Sequence, residues 1–396
     1  MKRVLFVCDS FKMGGIQSSM INFANALQAY CQVDLYVYYP CGPLKQRLHP
    51  NIRVLSPAWR VQALGMSFEE ARESGRMATV IYRTLASVWA RFVDNSLPLR
   101  RAFHSENRLT GYDLAIAFHQ EQKRSYVVSG FARFVDEIVE ARCKAAWLHC
   151  DPASNDLDMP FNLPIYRRMD KVVCVSRALR DGFSMMYPEM REKADYCYNV
   201  VDRENLIAMS SNRQAIPYPE DRLICFSASR LSEEKALVRG VKALSPVFHS
   251  HENLMWYIAG EGSDRVRIQN AIDEAQLSDR ILLIGELSNP YPYMRNADLL
   301  LNLSYHEAAP MVFLEAHALG VPVFATRTSS ADELLRDGEA DFICDNSEEG
   351  IREGFTRLMD DPQRLSQAKR QAEAAQWPYE SSVDKLLSWA EGAREH

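Results

Sequence analysis

Short apolar runs, each bounded by polar or turn residues, recur along this chain and alternate with amphipathic stretches. Such runs fit strands that are buried on both faces. Strands that alternate with helices indicate a parallel sheet covered by helices, so the sequence predicts an α/β fold. The predicted strands of the first half are 3–8, 33–38, 114–118, 145–148 and 172–175, and those of the second half are 223–229, 255–259, 281–284, 298–303, 321–325 and 341–343.

Two interruptions of this alternation suggest the domain organisation. Residues 60–110 show apolar spacing typical of helices and predict an all-helical insertion. The chain turns polar after Asn199, which indicates a linker. With 396 residues there is enough chain for two cores. We predict an N-terminal Rossmann-like domain over 1–203, a C-terminal Rossmann-like domain over 204–375, and a last helix within 376–396 that returns to the N-terminal domain.

Charge and cysteine usage narrow the class of protein. The formal net charge of −6 argues against a dedicated nucleic-acid binder, which usually carries an excess of basic residues. Nine cysteines without zinc spacing or a CxxC pair indicate a reducing compartment. The first apolar run stops at Asp9, too early for a signal peptide, and no apolar stretch reaches about 18 residues. We expect a cytoplasmic protein, with a peripheral position at the inner face of the cell membrane left open.

Cations and glycines follow the predicted strands of the second half. In open parallel sheets, ligands bind at the carboxyl ends of the strands. Arg230 and Lys235 come after the first of these strands, Gly260 and Gly262 after the second, and Asn289 after the third. Two cations can neutralise a diphosphate, and glycines allow the backbone to approach a ligand closely. This half of the chain therefore predicts a phosphate-binding edge.

The segment after the fourth strand adds two glutamates and a helix start. Pro310 can begin a helix, whose first N–H groups attract phosphate. Glu315, one turn into that helix, can chelate the hydroxyls of a ribose, and Glu307 can hold the hydroxyls of a sugar. Together with the preceding cations, these residues describe a pocket for a nucleoside diphosphate joined to a sugar.

Four runs in the second half resemble a known family. Residues 229–235, 260–262, 289–294 and especially 307–316 look like those of retaining GT-B glycosyltransferases. The closest likeness is to the group 1 family of bacterial polysaccharide assembly, which is related to glycogen synthase. The N-terminal half is similar more loosely, at 14–17, 147–149, 175–176 and the hinge 199–202. Ala308 and Val200 stand where the family often has glycine.

The resemblance implies a GT-B fold, with two Rossmann-like domains facing a central cleft, and it implies roles for individual residues. Arg230 and Lys235 would bind the donor diphosphate, and Gly15 would let the first loop approach the donor across the cleft. The catalytic residues it implies are Glu307, His149, Arg230 and Lys235. The substrate-binding residues it implies are Gly15, Gly260, Gly262, Asn289, Ala309, Pro310, Met311, Val312 and Glu315, with no metal and no cofactor.

The implied reaction transfers a sugar, with retention, from a nucleotide-diphosphate sugar to a glycan or lipid-linked saccharide in cell-surface polysaccharide synthesis. UDP is the expected nucleotide from the habits of the family. A nucleotide-sugar epimerase of the same fold and a non-catalytic GT-B scaffold subunit remain alternatives. A nucleotide-dependent oxidoreductase is disfavoured because the first loop lacks the Gly-x-Gly-x-x-Gly pattern. Asp156 and Asp158 form an Asp-x-Asp pair, which we interpret as a structural or acceptor-loop feature rather than a metal site.

The insertion carries an unusual local charge. Between Arg76 and Arg108 there are six arginines and two acids, although the whole chain is acidic. In the favoured interpretation, an apolar stripe with Ile81, Trp89 and Phe92 packs on the N-terminal domain while the arginines Arg76, Arg83 and Arg91 face water. The alternative places the insertion near an anionic membrane or a lipid-diphosphate acceptor.

Overall fold

A computed structural model describes residues 1–151, 157–213, 216–336, 338–374 and 381–392. These residues form two compact units. One contains Met1–Val200 and the last helix, and the other begins at Val201. Each unit is built on a parallel sheet.

Seven strands within the described residues form the sheet of the first unit. All paired neighbours run parallel, in the order β3-β2-β1-β4-β5-β6-β7. The interior strand β1 is fully buried from Val4 to Cys8, as expected for a strand covered on both faces. The strands are β1 Arg3–Ser10, β2 Gln32–Tyr39, β3 Arg53–Leu55, β4 Leu109–Ala117, β5 Val139–Leu148, β6 Lys171–Cys174 and β7 Ala194–Tyr196.

The helices of this unit follow its strands, except for four that fill the connection between β3 and β4. These four form the helical insertion. The helices are α1 Gly15–Leu27, α2 Trp59–Gly65, α3 Phe68–Glu73, α4 Met77–Phe92, α5 Ser96–Phe103, α6 Phe131–Ile138, α7 Met159–Tyr166 and α8 Arg177–Met186.

Six strands within the described residues form the second sheet, again parallel throughout, in the order β10-β9-β8-β11-β12-β13. The strands are β8 Leu223–Ala228, β9 Leu254–Ala259, β10 Ile281–Gly285, β11 Leu299–Asn302, β12 Val323–Thr326 and β13 Phe342–Cys344. The helices are α9 Arg203–Ser210, α10 Leu237–Ser250, α11 Arg265–Glu274, α12 Tyr291–Arg295, α13 Met311–Ala318, α14 Ala331–Leu334, α15 Glu348–Met359 and α16 Pro362–Ala374. The last helix, α17 Ser382–Glu391, packs on α1, β4 and β5 of the first unit.

The two sheets share the strand order of Rossmann-like domains, which confirms the predicted α/β class. In each sheet the order reverses beside the first strand, between β1 and β4 and between β8 and β11. Loops that leave such a pair of strands turn to opposite sides and open a crevice at the carboxyl edge. The loops after these four strands are therefore the candidate positions for a ligand site.

The orientation of α4 corrects the favoured interpretation of the insertion. The apolar stripe does not pack on the domain, because the exposed fractions of Ile81, Trp89 and Phe92 are 52%, 43% and 81%. The buried residues of α4 are instead Thr79, Ala86 and Ala90. Small side chains let the helix axis come close to α2, α3 and α5, which are its packing partners. Arg83, expected to face water, is partly buried, and its Nη1 has no hydrogen-bond partner among the described atoms.

The helix lengths and the cysteine thiols bear on the location and the chemistry of the chain. None of the described helices combines the length and the apolar character that a bilayer crossing requires. All nine cysteines are free thiols. Burial raises the pKa of the Cys31 and Cys143 thiols to about 11, which keeps them protonated and inert at neutral pH.

Candidate active site

Two glycines let the loop after β9 lie directly against the loop after β8. A Cβ on Gly260 would lie 1.9 Å from the carbonyl oxygen of Ser229, and one on Gly262 would lie 2.2 Å from that of Leu231. Gly260 also has a φ of +143°, which side chains disfavour. The contact is sealed by a hydrogen bond of 2.9 Å from the Leu231 N–H to the Glu261 carbonyl. The glycines thus fix the backbone that carries Arg230.

Lys235 and Glu307 meet across the reversal point of the second sheet. Lys235 follows β8, Glu307 follows β11, and Lys235 Nζ lies 2.7 Å from Glu307 Oε1. The same oxygen accepts hydrogen bonds from Ser304 Oγ at 2.7 Å and Asn302 Nδ2 at 3.4 Å. Among the described residues none donates to Oε2, so this oxygen remains available to a hydroxyl group. The carboxylate is held in place before any ligand arrives.

A second arginine braces the Glu307 loop. Arg239 of α10 donates through Nη2 to the Leu303 carbonyl at 2.7 Å and to Asn346 Oδ1 at 2.8 Å. Its guanidinium carbon lies 4.0 Å from the centre of the Tyr305 ring, and the Tyr305 carbonyl accepts from Asn346 Nδ2 at 2.9 Å. Sequence reasoning missed Arg239, because an arginine inside a helix has no local feature that distinguishes it from a surface residue.

The start of α13 lies close to Lys235 and to the residues at the end of β11. This helix begins at Met311, one residue after Pro310, with Ala309 in the preceding turn. The first N–H groups of a helix have no intrahelical carbonyl partners and attract anions. Val312 lines a small surface depression together with residues at the ends of β8 and β11 and in the loops that follow them, namely Ser227, Ser229, Lys235, Asn302 and Ser304. A phosphate in this depression would meet both Lys235 and the helix terminus.

Glu315 lies on the second turn of α13 and is oriented by a residue that the sequence analysis did not select. The Tyr291 hydroxyl donates to Glu315 Oε1 at 3.1 Å. Asn289 positions Tyr291, since its Oδ1 accepts from the Tyr291 N–H at 3.2 Å while its Nδ2 donates to the Met209 carbonyl at 2.9 Å. Asn289, expected to bind substrate, therefore has both ends of its amide in protein contacts and serves to place α12.

Arg230 is exposed, and its positive charge acts on a neighbouring acid. Burial raises the pKa of Glu234, but the hydrogen bond from Ser232 and the cations Arg230 and Lys235 outweigh burial and lower it. Ser232 Oγ lies 2.6 Å from Glu234 Oε1. The loop after β8 thus carries an ionised acid between two cations, and Arg230 is free to turn towards an anion.

In the first unit, His149 is a neutral ring at the end of β5. Burial lowers its pKa to about 3, against the opposing effect of the hydrogen bond to the Phe118 carbonyl. Since a carbonyl only accepts, Nε2 at 2.6 Å carries the proton, and Nδ1 is left as an acceptor. Gly15, the other expected residue of this unit, is exposed and is the first residue of α1.

A further acid that the sequence analysis did not choose, Asp9, lies at the carboxyl end of β1, near His119 of the loop after β4. Asp9 accepts hydrogen bonds from Gln17 Nε2 at 2.8 Å and from Ser10 Oγ at 3.0 Å. Burial raises the pKa of Asp9, but the nearby His119 and these hydrogen bonds lower it below its ordinary value. An ionised carboxylate therefore lies at the reversal point of the first sheet. Its signal in the sequence was a charge that ends the first apolar run.

The Asp-x-Asp pair contributes only one residue that can be described, because Asp156 lies outside the described residues. Asp158 precedes α7 with a φ of +43°. Its carboxylate accepts from Arg124 through Nε at 2.7 Å and Nη2 at 2.9 Å. Such a two-pronged contact neutralises the carboxylate and gives Asp158 a structural partner.

Comparisons with known proteins agree with this architecture. Residues 209–376 match the family model described as Glycosyl transferases group 1. The lipopolysaccharide core biosynthesis glycosyltransferase LpsE of Rhizobium meliloti (strain 1021) is 25% identical over 206 residues, which are 51% of this chain and 56% of that protein. The alpha-monoglucosyldiacylglycerol synthase of Acholeplasma laidlawii is 25% identical over 165 residues, 41% of each chain. The chain spans about half the length of these curated relatives.

A solved structure matches nearly the whole chain. The structure of Anabaena HepE in complex with UDP-glucose aligns with a TM-score of 0.69 and 16% identity, covering 99% of this chain and 100% of that one. At this identity the likeness speaks for the fold, and it extends over both units. The chain has the GT-B fold, and residues 209–376 are similar to the glycosyl transferases group 1 family.

Proposed function

We propose that this chain is a metal-independent glycosyltransferase that moves a sugar, with retention of configuration, from a UDP-sugar to a glycan or lipid-linked saccharide. The observation that carries the proposal is the bond between Lys235 and Glu307 beside the start of α13. It brings a cation, an acid and free helix N–H groups to the point where a Rossmann-like sheet binds ligands.

Each part of a nucleotide sugar has a counterpart in this arrangement. The diphosphate would lie at the N-terminus of α13, where Lys235 and Arg230 neutralise its charge. Glu315, held by Tyr291, would accept the two ribose hydroxyls. Glu307 would receive the sugar hydroxyls on Oε2, since its Oε1 is occupied by Lys235 and Ser304. His149 would offer Nδ1 as an acceptor to the transferred sugar.

The proposed chemistry needs no protein nucleophile. The bond between the sugar C1 and the diphosphate oxygen breaks while the acceptor oxygen attacks C1 from the same face. The departing diphosphate takes the proton of the acceptor hydroxyl. The protein then contributes positioning and stabilisation of the charge that develops on the leaving phosphate. Lys235, Arg230 and the N–H groups of Met311 and Val312 are the groups that would meet this charge.

The identity of donor and acceptor rests on similar proteins. HepE binds UDP-glucose in its solved structure, which supports UDP as the nucleotide. LpsE is named for lipopolysaccharide core biosynthesis, and the Acholeplasma enzyme for a glucosylated diacylglycerol. These names support a glycan or a lipid-linked saccharide as the acceptor.

A ligand screen with a transfer assay tests the proposal. A ligand that binds only the folded state raises the melting temperature, so UDP and a UDP-sugar should stabilise the protein more than other nucleotides. Release of UDP from the donor should then rise when an acceptor extract is added. Conversion of the donor to its epimer without acceptor would indicate the epimerase instead. Absence of any nucleotide effect would leave only the scaffold alternative.

A further inference from the structure

The helix α4 turns its larger apolar side chains towards solvent. Six of them lie on one face and are exposed by 43% to 81%. A globular helix normally buries such a stripe, and contiguous exposed apolar patches mark sites of interaction. We define the α4 apolar face by these six residues: Met77, Ile81, Leu85, Val88, Trp89 and Phe92.

The residues on the opposite, buried side of α4 explain why its large apolar side chains face solvent. Thr79, Ala86 and Ala90 are buried and lie about 150° around the helix from the centre of the apolar face, at 100° per residue. These small residues face the neighbouring helices of the insertion, which are α2, α3 and α5. Burying the apolar face instead would place Thr79 and Arg83 in water and require space for two aromatic rings. The large apolar side chains of α4 are therefore the ones exposed to solvent.

Aromatic residues paired with arginines lie on α2 and α3, the helices that pack against α4. Trp59 packs against Tyr82 of α4 with ring centres 5.5 Å apart, and the Arg60 guanidinium carbon lies 5.3 Å from the Trp59 ring. On α3, the Arg72 guanidinium carbon lies 4.6 Å from the ring of the exposed Phe68. An apolar body with a charged tip suits the boundary between acyl chains and headgroups.

The charge around the face is predominantly positive. Arg91 on α4 and Arg100 and Arg101 on α5 are exposed. Between Arg76 and Arg108 the two acids are engaged locally, since Asp94 accepts from the Ser96 N–H and Glu106 accepts from the Tyr36 hydroxyl. The remaining acids of the insertion lie on α3, where Glu70 is paired with Lys12 at 2.8 Å.

We infer that the α4 apolar face docks into the headgroup and acyl boundary of an anionic lipid membrane. A helix of 16 residues is about 24 Å long, so it can lie in the plane of the membrane without crossing it. A second copy of this chain suits the face less well. In a twofold interface the patch meets itself and brings its arginines against one another, whereas anionic headgroups neutralise them.

If the chain has the proposed function, membrane docking also determines how the enzyme reaches its acceptor. The membrane-bound insertion belongs to the unit that GT-B architecture assigns to the acceptor. A lipid-linked saccharide would then be approached in the plane of the membrane, while the donor arrives from solution. Membrane docking itself is independent of catalysis and is measured without any substrate.

Vesicle co-sedimentation of the full chain tests the inference. The variant with Met77→Gln, Leu85→Gln and Phe92→Gln removes three exposed side chains of the face. Its matched control replaces three exposed apolar side chains elsewhere, with Met185→Gln and Met186→Gln on α8 and Val266→Gln on α11. Vesicles of phosphatidylcholine alone are compared with vesicles that also contain phosphatidylglycerol. A third variant carries Arg91→Gln, Arg100→Gln and Arg101→Gln.

We expect the wild type and the control to bind the anionic vesicles, and the face variant to bind at least about a hundredfold more weakly at every salt concentration. The arginine variant should lose only the salt-sensitive part of the binding. The UDP-dependent thermal shift should be the same in all four proteins, which keeps this test apart from the donor site. Unchanged binding by the face variant would overturn the inference. So would a dimer, seen by sedimentation velocity, that the face variant dissolves while the wild type ignores vesicles.

Discussion

Lys235 Nζ donates to Glu307 Oε1 at 2.7 Å, and this bond joins the loops that leave β8 and β11. A backbone hydrogen bond of 2.9 Å from the Tyr305 N–H to the Glu234 carbonyl supports the same junction. The ion pair is partly buried, with exposed fractions of 22% for the Lys235 side chain and 10% for that of Glu307. A donor that enters would find its cation and its acid already oriented, which lowers the ordering cost of binding.

The two glutamates should fail in different ways when they are neutralised. Glu315→Gln should weaken the binding of UDP itself, because we assign its carboxylate to the ribose. Glu307→Gln should leave UDP affinity within about threefold and lower the turnover of the UDP-sugar by at least about tenfold, the effect of one charge-assisted hydrogen bond of about 1.5–3 kcal/mol. Steady-state kinetics and UDP titration of both variants measure this split. Equal losses of UDP affinity in the two variants would contradict the assignment.

Metal removal should leave the reaction intact. Lys235, Arg230 and the start of α13 supply the positive charge that a divalent ion would otherwise provide at the diphosphate. We expect the transfer rate with excess EDTA to equal that in buffer, and added Mn²⁺ or Mg²⁺ to give no gain. If EDTA abolished transfer and Mn²⁺ restored it, Asp158 would have to exchange its contact with Arg124 for a metal, and the proposed donor site would be incomplete.

The product should keep the anomeric configuration of the donor. We propose same-face attack because it is the chemistry of the retaining branch of the family that the sequence resembles. Proton NMR of the product formed early in the reaction, before mutarotation or hydrolysis, reads the coupling constant of the anomeric proton. An inverted product would require a general base at the acceptor, and Asp9 would then be the candidate for that base.

The buried neutral ring of His149 should make stability depend on pH. Its pKa is lowered to about 3 from 6.5, so between these values the unfolded chain binds a proton here that the folded chain does not. The free energy of unfolding therefore decreases as the pH falls below about 6.5. From about pH 7 to about pH 5 the loss is at most about 2 kcal/mol.

Urea denaturation of the wild type and of His149→Gln over that pH interval checks this expectation. The variant lacks the titrating ring, so its stability should fall less than that of the wild type on acidification. The difference between the two proteins cancels the contribution of the other histidines. Parallel curves would show that His149 is accessible to protons in the folded state and would contradict the neutral tautomer inferred for it.

The parts of the fold that the sequence predicted are those with strong local signals. Pro310 and Gly320 punctuate α13, and the buried strands are continuous apolar runs. The edge strands β3 and β7 were missed, because each has only three residues and is partly exposed, which leaves no apolar run to detect. Pairing with a neighbouring strand, rather than local composition, makes them strands.

The charged residues of the site could be predicted from the sequence, but the residues that hold them in position could not. Arg239 reaches Leu303 and Asn346 over separations of 64 and 107 residues, so no spacing along the chain reveals it. Tyr291 was not selected from the sequence, and it is 5% exposed, yet its hydroxyl orients Glu315. The predicted orientation of α4 was wrong for a related reason. Helical periodicity tells which residues share a face, and only the tertiary partners decide which face is buried.

Isothermal titration of UDP into the wild type, Lys235→Ala and Arg230→Ala tests the proposed donor site most directly. Lys242→Ala is the matched control, since Lys242 is an exposed lysine on α10 of the same unit. We predict that the wild type and Lys242→Ala bind UDP equally. Lys235→Ala and Arg230→Ala should each lose at least about tenfold in affinity, equivalent to about 1.4 kcal/mol. Equal UDP affinity in all four proteins, or none in the wild type, would contradict the assignment of this site to a nucleotide-sugar donor.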